Sequence, residues 1–528
     1  MVPATSKAVF PPAGYWWICL GVALAARLAW VWVPDFEIDA IQYSIIWCRQ
    51  PFNFLIFNLI LNDVHPPANF MVSWATLRLL GPGEAAMAMP SVLFGVGTVA
   101  LIWAWARQAG RPRMGLAAAA LVSLCLFSIY WSQHARMYAM FMFCAMGLFW
   151  MVDAVRPQAP LRVFVLLGLF LLGAVGNHIF GLVPAFAVVT VAIARAVQTF
   201  RRGDPEEARV YSVRLFYAIA LPAVLLWPWY GNILFQLDLQ GSTTYGLSTG
   251  HRNTMPIDGT LFKLIFGTYG FGTGWRLVLF SLLTAMGIAS EILARRWAAL
   301  AYASLCLAIP FSMMAVIPFA HGFDPTYTSF IAPILWIWAG GGIALMAEWL
   351  GRWMTAFRAP GGVLALAMAL ALAVYARPLG LLYKMGGRPT SYRNIVAKIE
   401  QVAPEGQVLV MENPFDLRLI PQFYGPAKQL YFVHLEIRPD ETRKTTLLRY
   451  FREHPKAWLL RGAKLETDPS WAYPYFSRKI IFRNESHEKL FAMGLFPRPS
   501  LVPDPWELYI GFKGEPPSKG TAPQKPPS

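Results

Sequence analysis

Charge is what this sequence has least of: Asp, Glu, Lys and Arg make up 14% of its 528 residues, where an average soluble domain carries about 25%. That excludes an ordinary cytosolic enzyme. Cysteine is also scarce. There are 5, scattered singly, with Cys19, Cys125, Cys144 and Cys306 inside apolar runs and Cys48 in an expected loop, so neither a disulfide framework nor a zinc site is indicated. No internal repeat and no glycine-rich phosphate loop occurs. In their place stand 56% hydrophobic residues and a mean hydropathy of +0.44. The formal charge is +16, from 45 Lys and Arg against 29 Asp and Glu. In so apolar a chain this excess reads as loop charge flanking membrane spans, not as a nucleic-acid footprint.

Apolar runs long enough to cross the hydrocarbon number about eleven. They fall near 14–33, 88–106, 114–131, 137–155, 161–177, 179–198, 214–230, 275–294, 297–318, 327–349 and 360–378. The first carries Arg27 in its middle, has full span length and precedes many others, so it reads as an anchor and not as a cleaved signal. Basic residues collect in alternate loops: Arg107, Arg111 and Arg113, then Arg156 and Arg162, then Arg195 to Arg214, then Arg295 and Arg296, then Arg352 and Arg358. Because Lys and Arg are retained on the cytoplasmic side, the N-terminus is expected inside and the C-terminal region outside. An added or lost span, for which 66–81 and 259–271 are apolar enough, would reverse the tail.

The expected architecture is a polytopic α-helical membrane protein over residues 1–390, with interfacial helices in a first outer loop, 34–87, that mixes aromatic and polar residues. Residues 391–513 read as a small α/β domain on the outer face. Its expected strands are 408–411, 429–433, 457–460 and 507–512, and its helices are near 391–404 and 441–453. The tail 514–528, rich in Pro, Lys, Ser and Gly, is expected to be disordered. The loop 231–258, with Tyr245, His251 and Arg252, reads equally as a lid or as a linker.

Ionisable groups close to hydrocarbon are costly and usually functional, and on this topology four clusters converge on the outer side. They are Asp35, Glu37 and Asp39; His65 in Asp63-Val64-His65-Pro66-Pro67; Ser132 to Tyr138, with His134 and Arg136; and Asn177-His178. Singly, each has an ordinary reading: solvated carboxylates, a turn-capping histidine, an arginine reaching headgroups, a hydrogen-bonded imidazole between helices. Together they suit chemistry on a charged lipid headgroup. A carboxylate can take a proton from an attacking hydroxyl while an arginine or a metal ion stabilises a departing phosphate.

In order, the chain shows Glu37-Ile38-Asp39-Ala40, His65-Pro66-Pro67, Gly81-Pro82-Gly83-Glu84 with Met89-Pro90-Ser91, Tyr130 to Tyr138 as Tyr-Trp-Ser-Gln-His-Ala-Arg-Met-Tyr, and Asn177-His178-Ile179-Phe180-Gly181-Leu182. This succession resembles the membrane-embedded glycosyltransferases of the GT-C type, bacterial branch, which includes aminoarabinose transferase and relatives of protein O-mannosyltransferase. The sequence departs from that pattern at His134, where relatives have Glu, at Ala88, where they have Arg, and at Asp324-Pro325-Thr326-Tyr327, where many have Pro-Arg-Tyr. The resemblance implies inverting transfer of a sugar from a polyprenyl phosphate to a glycan, lipid or protein acceptor, at the outer face of a bacterial inner membrane. It implies Asp39 as the base, with Glu37 in reserve, and Arg136 on the lipid phosphate. His65, His134, Tyr138 and His178 would line the headgroup site. A divalent metal ion is the one cofactor the reading leaves open, since His134 in place of a carboxylate weakens a carboxylate-rich site yet imidazole still ligates transition metals. A transporter of lipid-linked sugars, a non-catalytic assembly partner and a ligase of lipid-linked glycans are the alternatives. The first is disfavoured because the ionisable residues sit at span ends and not at the midplane.

Overall fold

The computed structural model describes residues 11–29, 31, 47–62, 65–81, 83–240, 274–316, 325–384, 392–412, 431–433, 443–462, 476–482 and 506–513. The described residues divide into two compact units, 11–384 and 392–513.

The described elements of the first unit are all helical: α1 (Ala13–Leu28), α2 (Phe52–Asn62), α3 (Ala68–Leu80), α4 (Glu84–Ala109), α5 (Pro112–Leu124), α6 (Leu126–Ser132), α7 (Tyr138–Ala154), α8 (Leu161–Val175), α9 (Leu182–Arg201), α10 (Pro205–Gln240), α11 (Gly274–Leu293), α12 (Trp297–Val316), α13 (Ala332–Leu350) and α14 (Pro360–Lys384). Only helices satisfy every backbone group within one apolar segment, which is why such runs fold this way. Among the described residues six helices are long and apolar enough to cross a membrane, or seven if α5 and α6 form one span. The shorter apolar helices α1, α7, α8 and α12 fall on other expected spans. The chain is a multi-pass membrane protein.

The third expected span differs from expectation. It breaks at Cys125, and its halves α5 and α6 are bent by 58°. The first outer loop holds the short helices α2 and α3 instead of a span, with Phe54, Phe57, Met71, Leu79 and Leu80 exposed. Cys48, expected in a loop, is buried in a 3-10 turn over Trp47–Arg49.

α5 and α13 form the centre, and small residues let their backbones approach. A Cβ on Gly340 would lie 2.6 Å from the Ala118 nitrogen, and one on Gly342 would run into the Leu283 carbonyl of α11. In lipid such close packing, and not the hydrophobic effect, holds helices together. One end of the bundle is fixed by charge. Asp153 at the end of α7 accepts from Trp105 Nε1 at 3.1 Å and pairs with Arg296, while Arg296 and Arg111 both reach the buried Glu291 at 3.3 and 3.6 Å. The other end carries the residues singled out by sequence.

In the second unit, helix α15 (Tyr392–Val402) leads into β1 (Val408–Glu412), followed by β2 (Tyr431–Val433), α16 (Arg443–Glu453), β3 (Trp458–Gly462), β4 (Phe476–Phe482) and β5 (Trp506–Phe512). The sheet order is β2-β1-β3-β5-β4. The first three strands are parallel, and β5 joins β3 and β4 antiparallel. Val410, Leu459, Phe476 and Tyr509 pack with Leu447 and Phe451 of α16 to form its core.

Candidate active site

The site end of the bundle is tied by backbone and amide contacts between segments remote in sequence. The Ala68 N–H, which opens α3 just after His65-Pro66-Pro67, donates to the Gly176 carbonyl at 2.7 Å. Asn177 Nδ2 donates to the Met137 carbonyl at 2.9 Å, and Ser91 Oγ to the Arg136 carbonyl at 3.4 Å. Gln133 extends its amide to the last carbonyls of α1, those of Ala26, Arg27 and Ala29, the shortest at 2.7 Å. A helix C-terminus leaves such carbonyls without intrahelical partners, and in apolar surroundings a side-chain donor must replace water.

The buried His178 stands at the centre. Its Nδ1 accepts from the Phe180 N–H at 3.1 Å, capping a 3-10 turn, so the proton of a neutral ring resides on Nε2. Its ring stacks on Phe141 at 5.2 Å and 15°, and lies 5.5 Å from Tyr327, 5.8 Å from Phe180 and 6.3 Å from Tyr138. Burial foremost, with the charges of His65 and Arg136 adding to it, pushes His178 down to about 3. It is therefore neutral near pH 7.

Beside it, the half-buried Arg136 holds its guanidinium 5.9 Å from the centre of the Tyr138 ring. Tyr138 packs on Trp131 at 4.3 Å. His134 is buried, 4.0 Å from the Tyr130 ring, and its Nδ1 lies 2.6 Å from the Tyr130 carbonyl. A carbonyl only accepts, so this nitrogen carries a proton. The structure thus brings His65, Arg136, Tyr138 and His178 to one end of one unit, with His134 adjoining through Tyr130 and Trp131. Glu37 and Asp39 lie outside the described residues, as do Asp35 and most of the loop 231–258. Among the described residues no three His, Cys, Asp or Glu side chains come together as a metal ion requires.

Sequence reasoning gave no role to Tyr327, yet the 3-10 turn Pro325–Ile331 carries it against His178, with its ring 6.1 Å from Phe180 at 18°. The signal was the Asp324 to Tyr327 stretch, noted only as a departure from the resembled pattern. The arrangement offers a guanidinium for an oxyanion, a neutral N–H donor and aromatic faces that pack against the C–H face of a ring.

The depressed His178 pKa carries a stability consequence. In the unfolded chain the imidazole takes up a proton below about pH 6.5, whereas in the folded protein it does not until about pH 3, so stability is lost as pH falls through that window. Between pH 7 and 5 the loss is on the order of 1–2 kcal/mol. The melting temperature of the detergent-solubilised wild type should fall more steeply over that interval than that of His178→Asn, which keeps an acceptor for Phe180 but cannot titrate; parallel slopes would refute this.

Residues 64–227 match the family model described as dolichyl-phosphate-mannose-protein mannosyltransferase. No curated protein sequence matches the chain. Among solved structures, ArnT from Cupriavidus metallidurans in the apo state superposes with a TM-score of 0.58 at 15% identity, covering 89% of this chain and 96% of the other. The same protein bound to undecaprenyl phosphate superposes with a TM-score of 0.54 at 16% identity, with the same coverage. The expected GT-C-type membrane fold is the fold observed.

Proposed function

We propose that this protein is a glycosyltransferase that moves a sugar from a polyprenyl-phosphate-linked donor to a hydroxyl or amine on an envelope glycan, lipid or protein. The observation that carries this reading is the meeting, at one end of the bundle, of a half-buried guanidinium, a buried neutral imidazole and a wall of aromatic rings. The match of residues 64–227 to a mannosyltransferase model and the shared fold with a protein crystallised with undecaprenyl phosphate support the same donor class. Arg136 receives the donor phosphate and stabilises the charge that grows on it as the glycosidic bond breaks. Tyr138, Tyr327 and Phe180 pack against the sugar, with His65, His134 and His178 fixing its surroundings. Asp39, or failing it Glu37, takes the proton from the acceptor. A divalent ion, if the enzyme uses one, would draw its carboxylate ligands from that same first loop.

In this reading the arginine-rich end of the bundle faces the cytoplasm of a bacterial cell and the site faces outward. Residues 1–390 form the catalytic domain, and 391–513 form a small extracytoplasmic α/β domain. The test is transfer of labelled sugar from a panel of polyprenyl-phosphate donors to envelope fractions, by membranes with and without the protein. Label transferred only in its presence establishes the class and names the sugar. Binding of polyprenyl phosphate without transfer from any donor would move the reading to a transporter or assembly partner. Label built into a long chain, seen on a gel, would make it a ligase or polymerase.

A further inference from the structure

The break in the third span leaves helix carbonyls to be satisfied in the absence of water. Those of Val122 and Ser123, in the last turn of α5, accept from Arg27 of α1: Nη2 reaches Val122 O at 3.1 Å and Nη1 reaches Ser123 O at 3.3 Å. The same guanidinium crosses the break to α6, donating from Nη2 to Ser128 Oγ at 2.7 Å and from Nε to Ser132 Oγ at 3.1 Å. A further bond, from Nη1 to Ala23 O at 3.0 Å, holds it to its own helix. Five N–H groups thus meet five acceptors on three helices, and the side chain is fully buried. No lysine could do this, because an ammonium has three donors and no planar fork. Space for it is set aside on α4, where a Cβ on Gly95 would collide with Ser132 Oγ and lie 2.7 Å from Arg27 Nε.

Ser132 ends α6, and the next residue, Gln133, returns three bonds to the end of α1. Arg136 follows before α7 begins, so its place depends on where α6 points. We propose that Arg27 is a positioning residue for the transfer reaction: by bridging the break between α5 and α6 it sets the direction of α6, and through α6 the placement of Arg136 against the donor phosphate. The proposal rests on the glycosyltransferase reading for the identity of the ligand, though not for the geometry. An arginine that merely glued helices would stabilise the bundle without any particular tie to Arg136, and that difference can be measured.

Binding of polyprenyl phosphate is compared in wild type, Arg27→Lys, Arg136→Ala and the double variant, each purified and checked for folding by its melting temperature. Arg27→Lys is expected to weaken binding about tenfold in the wild-type background and by less than about twofold when Arg136 is already absent, the non-additivity of residues that act together. Equal weakening in both backgrounds, or none in either, overturns the proposal. If Arg27→Lys does not fold, Ser128→Ala with Ser132→Ala, which removes two of the five acceptors, goes through the same cycle. A second readout does not depend on the donor. In an Arg136→Cys protein, whose five native cysteines are buried, alkylation of residue 136 by a water-soluble maleimide should change severalfold on adding Arg27→Lys; an unchanged rate overturns the proposal. Should the wild type bind no polyprenyl phosphate, the donor reading fails, and the alkylation rates alone decide whether Arg27 positions residue 136.

Discussion

Arg136→Ala is expected to weaken binding of polyprenyl phosphate by about tenfold to a hundredfold, since a hydrogen bond to a charged partner contributes about 1.5–3 kcal/mol and each 1.4 kcal/mol is a factor of ten. Several features prepare Arg136 for this. The guanidinium lies over the Tyr138 ring, its backbone carbonyl is held by Ser91, and Asn177 fixes the next residue, Met137. The side chain therefore spends little conformational freedom on binding. Arg136→Lys should fall between wild type and Ala, because it keeps the charge and loses the two-pronged fork. The comparison that isolates the phosphate is binding of polyprenyl phosphate against the uncharged polyprenol. Wild type should prefer the phosphate strongly and Arg136→Ala weakly, with similar affinity of both proteins for the alcohol. An undiminished preference in Arg136→Ala would place the phosphate elsewhere.

Helix positions were legible because a membrane span is a run of apolar residues, and that signal survives whatever the helix packs against. The break at Cys125 was not. Its sequence, Leu121 to Phe127, contains neither proline nor glycine, whereas Pro90, Pro222, Pro228 and Pro310 all lie inside unbroken helices. Local rules would have put the break at a proline. The partner that makes the break tolerable is Arg27, about a hundred residues away in sequence, which the apolar pattern showed only as an oddity in the first span. The same limit applies to β4. Phe476–Phe482 has two basic residues at its centre, Arg478 and Lys479, and is defined by antiparallel pairing with β5, a long-range contact. The pattern of apolar runs did locate β1, β2, β3 and β5.

At the site, His178, Tyr138 and Arg136 could be read from short motifs because each motif is local. Tyr327 could not, since it comes from a turn about 150 residues beyond His178 and meets it only through the folding of α13 against α7. The ring contacts of Tyr327 with His178 and Phe180 add a wall that no local motif encodes. Tyr230 is a similar case, its hydroxyl donating to the Val175 carbonyl at 3.0 Å and so tying α10 to the segment just before His178.

Asp39→Asn is the substitution expected to cost most, lowering turnover by about 10²- to 10⁴-fold, the usual contribution of a positioned general base. Asn keeps the size of the side chain and its capacity for hydrogen bonding but cannot accept a proton, so donor binding should survive. The kinetic signature then differs from that of Arg136→Ala: kcat falls with KM for the donor little changed, where loss of Arg136, which both binds the phosphate and stabilises its growing charge, raises KM and lowers kcat together. In the sequence Asp39 follows α1, whose final carbonyls are held by Gln133 three residues before Arg136. Wild-type turnover by an Asp39→Asn protein present in the membrane in normal amounts would remove Asp39 from the mechanism. Glu37→Gln would then be expected to show the loss instead, because Glu37 is the other carboxylate in the matched motif.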